Sequence, residues 1–223
     1  MLKTNSPAGS IRRFARREDL QLGKREFATL SRLNTPQAIQ SFLNQIPCNH
    51  EIGGETILSV RRVLRERRAH CIEGAFVAAC ALWIHGYPPL LIHLDCALSD
   101  YPHLIVPFRN GAMWGAISKT NGASLRYRDP IYRSLRELVM SYFHEYCDKL
   151  GRKTLRSYSV PFDMRRLDPD LWITSEQSCW NAHDRLAALR HYSLVSSKQV
   201  RLLQRRGPFE RKAGRIVQFP RLS

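Results

Sequence analysis

The sequence contains no apolar run approaching the ~18 residues that a membrane-crossing helix needs, so no membrane span is expected. It has no Cys-x-x-Cys pair. Its six cysteines (Cys48, Cys71, Cys80, Cys96, Cys147 and Cys179) fall at spacings that fit neither a disulfide framework nor a common zinc site. No secretory-type apolar segment is read near the start. Together these absences predict reduced thiols and a cytoplasmic location. Internal repeats and low-complexity stretches are missing as well, which sets aside solenoids and long disordered segments. Acidic residues are scarce, 19 against 35 Lys and Arg, and the imbalance is uneven. Residues 1–25 hold seven basic residues and two acids, residues 198–223 hold eight and one, and only +4 of the net +16 remains for residues 26–197. The expectation is two basic tails, the first of them flexible, on a near-neutral body. Such tails bind nucleic acid or an acidic protein weakly and without base-specific readout. No acidic cluster suited to calcium is present, and no metal or cofactor is expected.

What is there suits a packed protein. At 43% apolar residues in 223, the chain can hold one sizeable domain, read here as residues 26–160 with a helical extension over 161–197. A helical region spans 25–46 and breaks near Asn34–Pro36, where Thr35-Pro36 reads as an N-cap followed by proline at the first helical position. A helix over ETILSVRRVLRERR follows, and a second one from Cys71 closes at Gly86. The pattern then changes. Residues 89–95, 103–108 and 113–118 read as strands, the last two joined at Asn110-Gly111, a strong hairpin signal. Asp129-Pro130 reads as the start of a helix running to Gly151, and weaker helices are expected near 178–192 and 196–206. Trp172 and Trp180 are expected to pack the C-terminal part onto the body. The order is α+β, with a small antiparallel sheet.

One stretch stands apart, RRAHCIEGAFVAACALW at 67–83. From Ile72 to Trp83 only Glu73 is charged, and the apolar residues run all round the helix, which marks a buried one. Cys80 in its middle reads as a small core residue. Cys71 opens the helix, where unpaired N–H groups and the positive end of the dipole favour thiolate. Glu73 in the first turn complements that dipole; it opposes thiolate formation unless His70 or Arg68 neutralises it. A nucleophilic thiol needs a base, and the base an orienting partner. With Asn110-Gly111 as the two-residue loop, His103 lies opposite Ser118 on one face, so Ser118 is the candidate orienter. Asn121, just past the strand end, is the next candidate, and Asp100 a more distant acid.

The segments HCIEGAFVAACALWIHGYPP, YPHLIVPF and MWGAIS, in that order, resemble the transglutaminase-like cysteine enzymes of the broader papain-like group, and bacterial members of that superfamily in overall run. The resemblance covers about residues 55–120. It implies a buried Cys-bearing helix packed on a small antiparallel sheet, with Cys71 as nucleophile and His103 as general base. Where the family has an Asp four residues after its Trp, this chain has Ser118 after Trp114. The activity implied is cysteine-dependent acyl transfer, hydrolysing or exchanging a peptide bond or other amide. Alternatives are a catalytically impaired domain of that fold used for binding, and a nucleic-acid-associated protein acting through its tails.

Overall fold

A computed structural model describes residues 14–221. Its first helices follow local rules. α1 (Lys24–Ser31) and α2 (Pro36–Gln45) break where expected, with Thr35 Oγ1 accepting from the Ala38 N–H at 3.1 Å and Pro36 at the first helical position. α3 (Val60–Glu66) is shorter than its apolar pattern, because Ser59 caps it and residues 55–58 are not helical. α4 (Cys71–Ile84) carries twelve buried residues and ends at Gly86, whose φ of 78° is the left-handed conformation a glycine terminator supplies. Burial of that helix on every side contributes strongly, about 1.5–3 kcal/mol for each large apolar side chain removed from water.

The strands are β1 (Leu90–Cys96), β2 (His103–Asn110), β3 (Met113–Ile117), β4 (Arg128–Tyr132), β5 (Leu155–Ser159), β6 (Phe162–Asp163) and β7 (His191–Ser193). They form one antiparallel sheet in the order β4-β3-β2-β1-β5-β7, with β6 pairing the start of β1. Alternate residues feed two cores. Leu91, Leu104, Val106 and Ile117 face α1–α4, with Trp172 fully buried edge-on against Phe76. Ile92, Leu94, Ile105 and Ala116 face α5 (Leu135–Met140) and the aromatic residues that follow it, Tyr142, Phe143 and Tyr146. Both faces of β1 are covered, which is why its sequence is nearly continuously apolar rather than alternating.

The hairpin register differs from expectation. Asn110 pairs Met113 and Val106 pairs Ile117, so the loop residues are Gly111, with φ of 58°, and Ala112. The reason is packing: Phe108 lies opposite Gly115, where any Cβ would stand 2.6 Å from the Phe108 ring. The displacement is two residues. Extended past the strand ends it sets Thr120 rather than Ser118 opposite His103, yet it keeps every side chain on its expected face.

The helix expected over 129–151 is corrected too. Residues 128–132 form edge strand β4 on β3, where Pro130 is tolerated because an edge strand has one unpaired side. The helix begins only at Leu135, capped by Ser134 Oγ accepting from the Glu137 N–H at 3.1 Å. Residues 161–197 are no purely helical extension. They supply β6, α6 (Trp180–Ala187) and β7, and bury Trp172, Ile173, Ala182 and Leu186 in the main core. Trp180, expected to pack inward, is 39% exposed. Of the N-terminal tail, residues 1–13 lie outside the described residues; from Ala15 the chain is packed, with the Ala15 N–H donating to the Trp83 carbonyl. The C-terminal tail carries α7 (Ser197–Leu202) and α8 (Pro208–Gly214), and Val217 then bridges Gly122. Among the described residues no helix is long and apolar enough to cross a membrane.

Candidate active site

α4 packs across β2, which brings the N-terminus of the helix to the first residue of the strand. Two observations make that approach close. Gly74, one turn into α4, has no side chain, and a Cβ there would sit 2.4 Å from Lys119 Cβ. The buried Lys119 ammonium in turn donates to the Leu43 carbonyl at 2.9 Å, in the last turn of α2, and to that of Ile46, its C-cap.

His103 is buried, and its Nε2 lies 2.8 Å from Ser118 Oγ. The serine hydroxyl has one hydrogen, and it donates it to the Leu125 carbonyl at 2.5 Å. Toward the imidazole Ser118 therefore accepts, so Nε2 of His103 carries a hydrogen and Nδ1 is left to serve the thiol. Ser118 is itself pinned: Gln40 donates from Nε2 to its carbonyl and accepts its N–H through Oε1, both at 2.9 Å. Leu125 holds a φ of 59°, a costly conformation for a branched residue, secured by its N–H donating to Glu145 Oε2 at 2.8 Å. Arg128 pairs with that same carboxylate oxygen at 2.7 Å. A chain of hydrogen bonds thus runs from a carboxylate through backbone and hydroxyl to the imidazole.

Cys71 is half-buried at the head of α4. Burial alone raises its pKa, but hydrogen bonds and charge from His103 and then His70 outweigh that and bring the thiol down to about 5. His70 shows the reciprocal effect. Burial favours its neutral form, yet the hydrogen bond to Cys71 and the Glu73 carboxylate raise it to about 9. Its Nε2 donates to the Thr56 carbonyl at 2.9 Å.

Glu73 is fully buried and satisfied. Oε1 accepts from Asn49 Nδ2 at 2.9 Å and the Leu58 N–H at 2.8 Å, while Oε2 accepts from the His70 N–H at 2.7 Å. Arg68 reaches it only through Asn49, donating to Oδ1 at 2.7 Å. Burial raises the Glu73 carboxyl despite these donors. Its hydrogen bonds make it a brace for the start of α4, with His70 standing 3.5 Å away between it and the thiol.

Of the other sequence candidates, Asp100 lines the cleft of Cys71 and His103, and Asn121 does not. The Asn121 amide is spent on the C-terminal segment, with Nδ2 donating to the Phe219 carbonyl and Oδ1 accepting the Phe219 N–H, each at 2.9 Å. It is not brought to His103. Asp100 accepts from Thr154 Oγ1 at 2.5 Å. Gln40, Leu125 and Glu145 escaped sequence reasoning; the first lies 78 positions from Ser118 and leaves no local signal. His70 could be read as a neighbour of the thiol from adjacency alone.

Two clefts meet at Cys71, sharing Tyr101 and Pro102 as well. One, about 290 Å³, is lined by His103, Leu125 and Tyr146, with Arg206 at its wall; the other, about 380 Å³, lies on the α4 side of the sheet beside Glu51, His93 and Trp180. All six cysteines are unpaired. Among the described residues no group of three His, Cys, Asp or Glu is placed to hold a metal ion. The chain matches no protein-family model and no curated protein.

Proposed function

We propose that the protein is a cysteine-dependent acyl-transfer enzyme of transglutaminase-like type, acting on a peptide or other amide. The observation that carries the reading is the arrangement at one point of Cys71, His103 and Ser118, with the thiol driven to about 5 by its two imidazole neighbours. The Cys71 thiolate attacks the carbonyl carbon. The oxyanion that forms is met by the Cys71 N–H, which as the first helical residue has no acceptor within the helix. His103 gives its Nδ1 proton to the departing amine as the C–N bond breaks, leaving a thioester on sulfur. Water then attacks the thioester, losing its proton to His103, and the carboxylic acid and thiolate are released. An amine in place of water gives exchange instead of hydrolysis.

Ser118 orients the ring through Nε2, but a hydroxyl stabilises the imidazolium less than a carboxylate does. That serine supports a second reading, a domain of the same fold with weakened chemistry that is used for binding. An activated ester separates the two. Incubation with p-nitrophenyl acetate is expected to place an acetyl group on Cys71, found by peptide mass spectrometry, that forms and turns over in the native protein. It should fall at least ~100-fold in rate in His103→Ala, as loss of a general base does. Acetylation that ignores His103, or spreads evenly over Cys48, Cys96 and Cys147, would leave only the binding reading.

A further inference from the structure

The two clefts at Cys71 differ in the charged groups that line them: Asp100, Glu145 and Arg206 in the first, Glu51, Glu55 and His70 in the second. The chain has 35 Lys and Arg, yet among the described residues none of them lines the cleft on the α4 side. That wall carries two carboxylates, Glu51 and Glu55, with His70, its pKa raised to about 9, beside the first of them. Glu51 Oε1 accepts the Thr56 N–H at 2.8 Å and stands 3.5 Å from His70 Nε2. Glu55 is exposed and has neither ion pair nor hydrogen bond among the described residues.

A buried imidazole supplies an independent sign of a ligand. His93, on β1, is only 5% exposed and lines the same cleft. Its Nδ1 lies 2.9 Å from His191 Nε2, and His191 Nδ1 lies 2.6 Å from the Leu189 carbonyl. A carbonyl only accepts, so His191 carries its hydrogen on Nδ1. In the neutral pair its Nε2 then accepts from His93 Nδ1. Nε2 of His93 is left as a lone-pair acceptor with no partner among the described residues. Burial, with His191 beside it, lowers the His93 pKa to about 4, so the ring is neutral near pH 7. Trp180, with part of its ring exposed, stands at the same cleft, edge-on to His183 at 5.7 Å. With Glu51 paired to His70, an acceptor-only nitrogen, the Glu55 carboxylate and the Trp180 indole together suit a cation that also donates N–H bonds. At about 380 Å³ the cleft has room for a long side chain.

We propose that this cleft is a binding subsite for a cationic, N–H-donating side chain, of lysine or arginine type, carried on the molecule whose acyl group Cys71 takes. The proposal rests on the acyl-transfer reading and names the substrate class for it. His93 and Glu55 set the specificity. His93 touches the donated N–H, and Glu55 supplies charge.

The test uses thiol-reactive probes with one shared leaving group and different charge and N–H donors, so no substrate need be known. Rates of mixed-disulfide formation at Cys71 are measured by peptide mass spectrometry with aminoethyl, trimethylammonioethyl, sulfonatoethyl and neutral methyl methanethiosulfonate. Native protein is compared with Glu55→Gln, Glu55→Lys and His93→Leu, each rate divided by the neutral reagent's rate in the same variant. The aminoethyl-to-sulfonatoethyl ratio is expected to fall roughly three- to tenfold in Glu55→Gln and further in Glu55→Lys, and less so at high salt. The preference for aminoethyl over trimethylammonioethyl, equal in charge but without N–H donors, should disappear in His93→Leu. Should His93→Leu fail to fold, the exposed Glu55 variants still decide. Ratios that stay the same in both Glu55 variants overturn the proposal. Failure of the acyl-transfer reading looks different: the neutral reagent then shows an ordinary thiol pH profile, and no acetyl thioester forms on Cys71.

Discussion

Cys71 and Cys80 stand nine positions apart on the same helix, and the protein drives their thiols in opposite directions. At Cys80 burial acts without any donor to oppose it, and distant Glu26 adds to it, so the thiol is pushed well above its ordinary value. At Cys71 burial pushes the same way, but His103 and His70 hydrogen-bond the sulfur and the sign reverses. The pair teaches that neither the helix nor its burial activates a cysteine. What activates it is the one end of the helix that side chains from other elements can reach. The middle of α4 is closed to them by its own apolar coat.

The largest expected effect breaks or keeps that contrast directly. Iodoacetamide at pH 7 should alkylate Cys71 at least ~1,000-fold faster than Cys80, which reacts only when its helix opens to solvent. Peptide mass spectrometry reads both sites in one sample, and comparable rates would end the comparison. The next effect sharpens its cause. Thiolate is the deprotonated form, so Cys71 reactivity should hold from neutral pH downward and fall as pH drops through about 5. In His103→Ala the midpoint should rise by about 2 pH units, because an opposite charge and donor have been removed. Alkylation at pH 6 should then fall about tenfold, while Cys80 is unmoved. A midpoint that stays in place would show that His70 and the helix terminus set the pKa without His103.

The smallest effect concerns stability at a third point of the same helix. Gly74→Ala in an open helix gains about 1 kcal/mol. Here the added carbon meets Lys119 Cβ at 2.4 Å, so a net loss of about 1–3 kcal/mol is expected in urea unfolding. A gain would mean that α4 and the segment after β3 can separate without cost.

Much of this was legible in the chain. The limits of α4 follow from Cys71 opening an unbroken apolar run and Gly86 closing it, and Thr35-Pro36 marks the start of α2. Cys71, His103 and Ser118 were legible because helix start, strand start and strand parity are local properties. Parity even survived the wrong hairpin register, since a two-residue displacement returns each side chain to its own face. What misled was equally local. Asp129-Pro130 obeys the rules for a helix start, and only β3 lying alongside makes it an edge strand. Asn121 has the chemistry of an orienting residue, but Phe219 takes both ends of its amide.

The sequence by itself determined the candidate residues for the proposed chemistry and where the buried helix begins and ends, because periodicity, caps and dipole act over a few neighbouring residues. Only the tertiary structure decided that Gln40 and Leu125 hold Ser118, that Glu145 braces Leu125, and that His93 keeps an acceptor turned away from His191. Those bonds join residues from 7 to 98 positions apart. Their formation depends on how two cores close on the faces of one sheet, which no short stretch of the chain encodes.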